Sequence, residues 1–257
     1  MTAPLGHEVL GSGVHTVVFL HGFTQTRASW RPIASRFVHN VPNTRAILID
    51  LPGHGESSHV SADIEATITL VREFVGSAIY IGYSLGARIA LSALAAFPSE
   101  VHHAVVVSGT AGIDDDAERA ARCSSDATLA ERILTIGVEA FLDEWLAQPL
   151  FRGLSPDTNV HAQRLTNTAE GLADSLRRCG QGNQPPLWQQ LHTLDNPVLA
   201  IAGAQDDKYV MLGRRLAATL PNGRLHVVPD AGHSAHLERP SEVGSIIEES
   251  CTRWCGS

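Results

Sequence analysis

Six short apolar runs punctuate the chain, at 16–20, 45–50, 78–82, 104–108, 198–203 and 225–228. They are rich in Val and Ile and apolar at successive positions rather than alternate ones. Strands read this way when helices cover both faces of a parallel sheet. Helical patterns lie between them, over 27–37, 85–97, 209–220 and 240–251. Such alternation predicts right-handed βαβ units in an α/β fold with a doubly wound, mostly parallel sheet. The alternation stops between Gly109 and Asp195, where no run reads as a strand. Helical patterns over 117–136, 138–146 and 162–179 take its place. The expected organisation is a core of residues 1–108 and 196–257 with a helical lid, 109–195, inserted between two core strands. Placed at the carboxyl ends of the strands, a lid would cover the crevice where open parallel sheets hold ligands.

Composition narrows the function. The 257 residues are 44% hydrophobic and 18% charged, enough for one well-buried core. A formal net charge of −8, with Lys and Arg scattered, argues against a nucleic-acid partner. No apolar run is long enough to span a bilayer. The opening Met-Thr-Ala-Pro-Leu-Gly-His lacks the basic and apolar stretches of a secretory signal, so a cytoplasmic location is expected. Cys123, Cys179, Cys251 and Cys255 form no paired CxxC pattern, so no zinc site is expected. Free thiols in a reducing compartment are the expectation, with a Cys251–Cys255 link the alternative.

Chemistry enters at Gly82-Tyr83-Ser84-Leu85-Gly86. A GxSxG sequence alone says little, but here an apolar strand runs into it and a helix runs out. That context makes a nucleophile elbow, a tight turn exposing Ser84 at a helix N-terminus; a plain serine N-cap is the bland alternative. A serine hydroxyl needs a base, and the base needs an orienting acid. In this arrangement the acid and then the histidine follow the serine along the chain. Asp206, just past the run 198–203, is the preferred acid, and Asp207 is its competitor. His233, in Pro229-Asp230-Ala231-Gly232-His233, is the preferred base among 13 histidines, with His236 the nearest rival. Two backbone N–H groups, of Leu85 and of Phe23 in His21-Gly22-Phe23, are the expected oxyanion hole. Asp50-Leu51-Pro52-Gly53-His54-Gly55-Glu56-Ser57 reads as loop architecture.

The HGF, DLPGHGES, GYSLG, late GxxD and AGH segments together resemble the α/β-hydrolase superfamily over nearly the whole chain. Further segments are Gly82 to Arg88, Glu118 to Arg122 with Asp126, Phe141 to Trp145, Gln148 to Phe151, Arg164, Asn167, Gly171 to Ala173 and Leu187-Trp188. These resemble the 2-succinyl-6-hydroxy-2,4-cyclohexadiene-1-carboxylate synthases of menaquinone biosynthesis. The resemblance implies a lyase that eliminates pyruvate from an enolpyruvyl cyclohexene with a Ser, Asp, His set and no metal or organic cofactor. It implies that Arg88, Arg122 and Arg164 bind a small polycarboxylate substrate, with Tyr83 and Trp145 in the pocket. One departure is visible: a pocket glutamine expected early in the lid is replaced within Ile113-Asp114-Asp115-Asp116.

The arginines also make sense from spacing. Arg88 lies four residues after Ser84, on the same helix face, where a carboxylate substrate gives an arginine a purpose and a neutral ester does not. A solvated surface is the alternative for each arginine taken singly. The Ser, Asp, His motifs serve equally a carboxylesterase or C–C bond hydrolase working through an acyl-enzyme. A non-catalytic binding protein is disfavoured because it has no need of all three residues.

Overall fold

The computed structural model describes residues 5–154 and 161–255. Seven strands form one sheet: β1 (His7–Gly11), β2 (His15–Leu20), β3 (Thr44–Ile49), β4 (Ala78–Tyr83), β5 (Val101–Val107), β6 (Val198–Gly203) and β7 (Gly223–Val228). Their order is β1-β3-β2-β4-β5-β6-β7, with β1 antiparallel to β3 and every other pairing parallel. The helices are α1 (Arg31–Asn40), α2 (Ile64–Val75), α3 (Leu85–Ala96), α4 (Asp116–Leu146), α5 (His161–Arg164), α6 (Ala169–Cys179), α7 (Trp188–Leu191), α8 (Asp207–Thr219), α9 (Ala235–Glu238) and α10 (Pro240–Cys255).

The central strands are buried along their length, as unbroken apolar runs require. In β2, Val18 and Leu20 pack into a core under α2 and α3, while Val17 and Phe19 pack against α1 and α10. The same alternation places Ala104 and Val106 of β5 on one face and Val105 and Val107 on the other. The run at 225–228 departs from the expected two-sided burial. Residues of β7 alternate between half-buried and exposed, because β7 is an edge strand. Strand β1 is the other edge; its mixed polar pattern, with Val9 exposed, lacks the apolar signature of its neighbours. Helix α2 was legible in principle, since Ile64, Ile68, Val71 and Val75 fall on one face behind an Asp63 N-cap.

Between β5 and β6 the described residues are helical or irregular, with no strand. Gly137 interrupts α4 at φ 79°, a conformation glycine adopts without steric cost, so the chain folds back on itself there. The two arms and α6 share a small core of Ala130, Ile133, Phe141, Leu172 and Leu176. Cys123 and Cys179 carry free thiols. The Cys255 side chain, and with it the alternative Cys251–Cys255 link, lies outside the described residues. Among the described residues no helix is long and apolar enough to cross a membrane.

Candidate active site

Strand β4 ends at Tyr83 and α3 begins at Leu85, so Ser84 alone makes the turn. Its backbone is held at φ 49°, ψ −101°, strained for a residue with a side chain. The flanking glycines are required by close approach. A Cβ on Gly82 would lie 2.2 Å from Gly86 O, and one on Gly86 would lie 2.1 Å from Leu20 O. The turn is anchored by Ser84 N–H donating to Val107 O at 2.9 Å and Gly86 N–H to His21 O at 3.0 Å. Ser84 is partly open to a cavity above the sheet.

His233 sits on the loop between β7 and α9, almost wholly buried, and lines the same cavity. Its Nδ1 lies 2.7 Å from Asp206 Oδ2. The other oxygen, Oδ1, accepts from Tyr209 N–H at 3.2 Å, so Asp206 also caps α8. Asp207 is exposed. His236 is in the core, its ring 4.6 Å from Trp30 and 4.2 Å from Tyr83, and burial holds its pKa well below the usual value. It does not line the cavity. The Ser108 hydroxyl donates to His233 O at 2.7 Å, and the Tyr83 hydroxyl lies 2.8 Å from Ser234 Oγ. Burial raises the Tyr83 pKa, so the phenol stays protonated.

Among the described residues no acceptor meets the N–H of Phe23 or of Leu85. Both residues line the cavity beside Ser84. His21 braces this loop from behind: its Nδ1 lies 2.8 Å from Gly22 O, and its Nε2 accepts from Leu51 N–H at 3.0 Å. Burial lowers its pKa to about 4, which keeps the ring neutral and able to accept. The 50–57 segment is architecture as expected, with the Asp50 carboxylate accepting from the N–H of Arg27 and of Glu56.

The cavity holds about 460 Å³. Trp145 lines it from α4, packed on Phe23 and Phe151. Arg88 and Arg122 both line the wall. Arg88 is buried, and its partners are carbonyls: Cys179 O at 2.7 Å and Gly180 O at 3.4 Å. Burial lowers its pKa, yet an arginine starts so high that the charge persists. Arg122 is half-exposed and donates to Asp126 Oδ1 at 2.8 Å and to Gln181 Oε1 at 2.6 Å.

Arg164 departs from the expected three-arginine ring. It is not among the described residues that line this cavity; it is fully buried, with its guanidinium on the Thr24 hydroxyl. The cause is local: Asn167 donates to Thr24 O at 2.8 Å and accepts from Gly55 N–H at 2.8 Å, which ties the end of α5 behind the 21–26 loop. Burial lowers the Arg164 pKa to about 10. The wall also contains Gln148, Phe151, Gln181, Lys208 and Tyr209, which the sequence motifs do not mark as site residues. The two glutamines come from segments flanking the helices. The acidic run at 114–116 instead serves α4, with Asp115 accepting from Glu118 N–H at 2.8 Å. Tyr209 was findable, since it follows Asp206 by one helical turn; its ring lies 4.5 Å from that of His233.

A strained serine between a strand and a helix, beside a histidine–aspartate pair under helices, defines an α/β-hydrolase site. The chain belongs to the alpha/beta hydrolase family, whose pattern matches residues 17–245. It is 36% identical to the 2-succinyl-6-hydroxy-2,4-cyclohexadiene-1-carboxylate synthase of Serratia proteamaculans, over 90% of this chain and 91% of that one. The enzyme of the same name from Salmonella typhimurium is 33% identical over 90% of this chain and 91% of its own. Among solved structures, MenH from S. aureus superposes with a TM-score of 0.86 at 27% identity, covering 96% of this chain and 98% of that one.

Proposed function

We propose that this protein is a lyase that eliminates pyruvate from 2-succinyl-5-enolpyruvyl-6-hydroxy-3-cyclohexene-1-carboxylate to give 2-succinyl-6-hydroxy-2,4-cyclohexadiene-1-carboxylate in the cytoplasm. The observation that carries this reading is the pairing of Arg88 and Arg122 with Ser84 in one cavity, in a chain similar over 90% of its length to a synthase of that name. A polycarboxylate needs fixed cations, and guanidinium groups bind carboxylates bidentately. Residues 109–195 act as the lid that closes this cavity over the core 1–108 and 196–257.

Ser84 Oγ passes its proton to His233 and takes the ring proton beside the succinyl carbonyl. Asp206, held on His233 Nδ1, stabilises the resulting imidazolium. Phe23 and Leu85 N–H stabilise the negative charge that develops on the carbonyl oxygen. The electron pair enters the ring, the double bond shifts, and the C–O bond to the enolpyruvyl group breaks. Enolpyruvate takes up the proton and becomes pyruvate, while the ring keeps a conjugated diene. The elimination balances without a co-reactant.

The test is pyruvate release from the cyclohexene substrate, followed by NADH loss with lactate dehydrogenase. Stoichiometric pyruvate, with slow or no turnover of p-nitrophenyl acetate, is the expected result. Ester hydrolysis without pyruvate would transfer the same residues to an acyl-enzyme hydrolase.

A further inference from the structure

The base is only as useful as its loop is fixed, and one carboxylate outside the cavity grips that loop on both sides of His233. Glu238, at the end of α9, accepts from Gly232 N–H at 2.7 Å through Oε2 and from Ser234 N–H at 3.0 Å through Oε1. Its own N–H donates back to Ser234 O at 3.0 Å. The two carboxylate contacts bracket His233 by one residue on each side. Neither oxygen touches the imidazole–Asp206 bond, which uses the side chain.

The same carboxylate meets the helical insertion. A Cβ on Gly153 would lie 2.0 Å from Glu238 Oε2, so glycine alone lets that segment pass without displacing the group. Two residues earlier, the Phe151 ring reaches within 6.2 Å of the His233 ring. One side chain therefore lies between the histidine loop and the insertion.

We propose that Glu238 is a positioning residue: its carboxylate, shared between Gly232 N–H and Ser234 N–H and sheltered by Gly153, sets where His233 meets Ser84. The proposal rests on His233 being the base. Misplacing a reacting group by about 1 Å costs on the order of 100-fold in rate. In E238Q the amide offers one acceptor, and its NH2 faces the second N–H donor. In G153A the new methyl drives an unaltered Glu238 off its donors.

The experiment measures kcat and KM for pyruvate release in both variants. It also follows the downfield proton resonance of His233 Nδ1–H in the free proteins. Each variant should lose about 10- to 100-fold in kcat, keep KM within about twofold, remain cooperatively folded and show a broadened resonance. Wild-type kcat and an unchanged resonance in G153A and in folded E238Q would overturn the proposal. Should E238Q fail to fold, G153A decides alone. If the wild type released no pyruvate, the substrate assignment would fall, while the resonance and the p-nitrophenyl acetate rate would still test Glu238.

Discussion

Arg122 is the cation whose removal separates substrate binding from internal charge balance. It spends one N–H on Asp126 and one on Gln181, which leaves three of the five guanidinium donors for a carboxylate. Losing a charge-assisted hydrogen bond removes about 1.5–3 kcal/mol, or roughly 10- to 150-fold in kcat/KM. R122A does more, because the Asp126 side chain is only 4% exposed and loses its ion pair. A bare carboxylate roughly 6 Å from a bound one repels it by about 3 kcal/mol at an effective dielectric of about 20. The combined loss for R122A is then about 10³- to 10⁴-fold. R122A/D126N removes the repelling charge and should recover about 100-fold of it, leaving only the lost hydrogen bond. The assay is coupled pyruvate release across substrate concentrations, with the four proteins of the double-mutant cycle. A double variant no better than R122A, or an R122A loss below about tenfold, would refute the reasoning.

S84A and H233A should each lose at least about 10⁴-fold in turnover with unchanged circular dichroism; more than a tenth of wild-type activity in S84A would end the assignment. D206N should be severely impaired and D207N nearly neutral in the same assay, since only Asp206 reaches His233, and the reverse pattern would move the acid to Asp207. Acid should unfold the protein through its buried histidines. Burial lowers His21 to about 4, His54 to about 3 and His103 to about 4. The unfolded chain, with histidines near 6.5, therefore binds more protons below that pH, and stability is lost as pH falls from about 6.5 toward 4. His21 alone accounts for roughly 3 kcal/mol at about 1.4 kcal/mol per pH unit. Tm by scanning fluorimetry should be level above pH 7 and drop steadily below 6.5; a level Tm down to pH 4.5 would contradict this.

The central strands were legible because they are buried on both faces and must be apolar at every position. The elbow was legible because Gly82 and Gly86 are imposed by backbone contacts of less than 2.5 Å that no side chain survives. The edge strand β1 escaped because half of it meets water, so its pattern carries little signal. Sequence spacing brought Arg88 to the face of Ser84, one helical turn away, which is a local matter. Whether Arg122 and Arg164 join it depends on where α4 and α5 dock, and no local rule sets that. Tertiary packing brought Arg122 to the wall with Asp126 and Gln181, and tied Arg164 to Thr24 behind the loop. It also chose His233 over His236: both lie in one short segment, and only docking against β4 and α8 sends one ring to Asp206 and the other between Trp30 and Tyr83. Residue type and local period are written in the chain, whereas partners 27 to 151 residues apart meet only once the sheet has ordered the loops at its carboxyl edge.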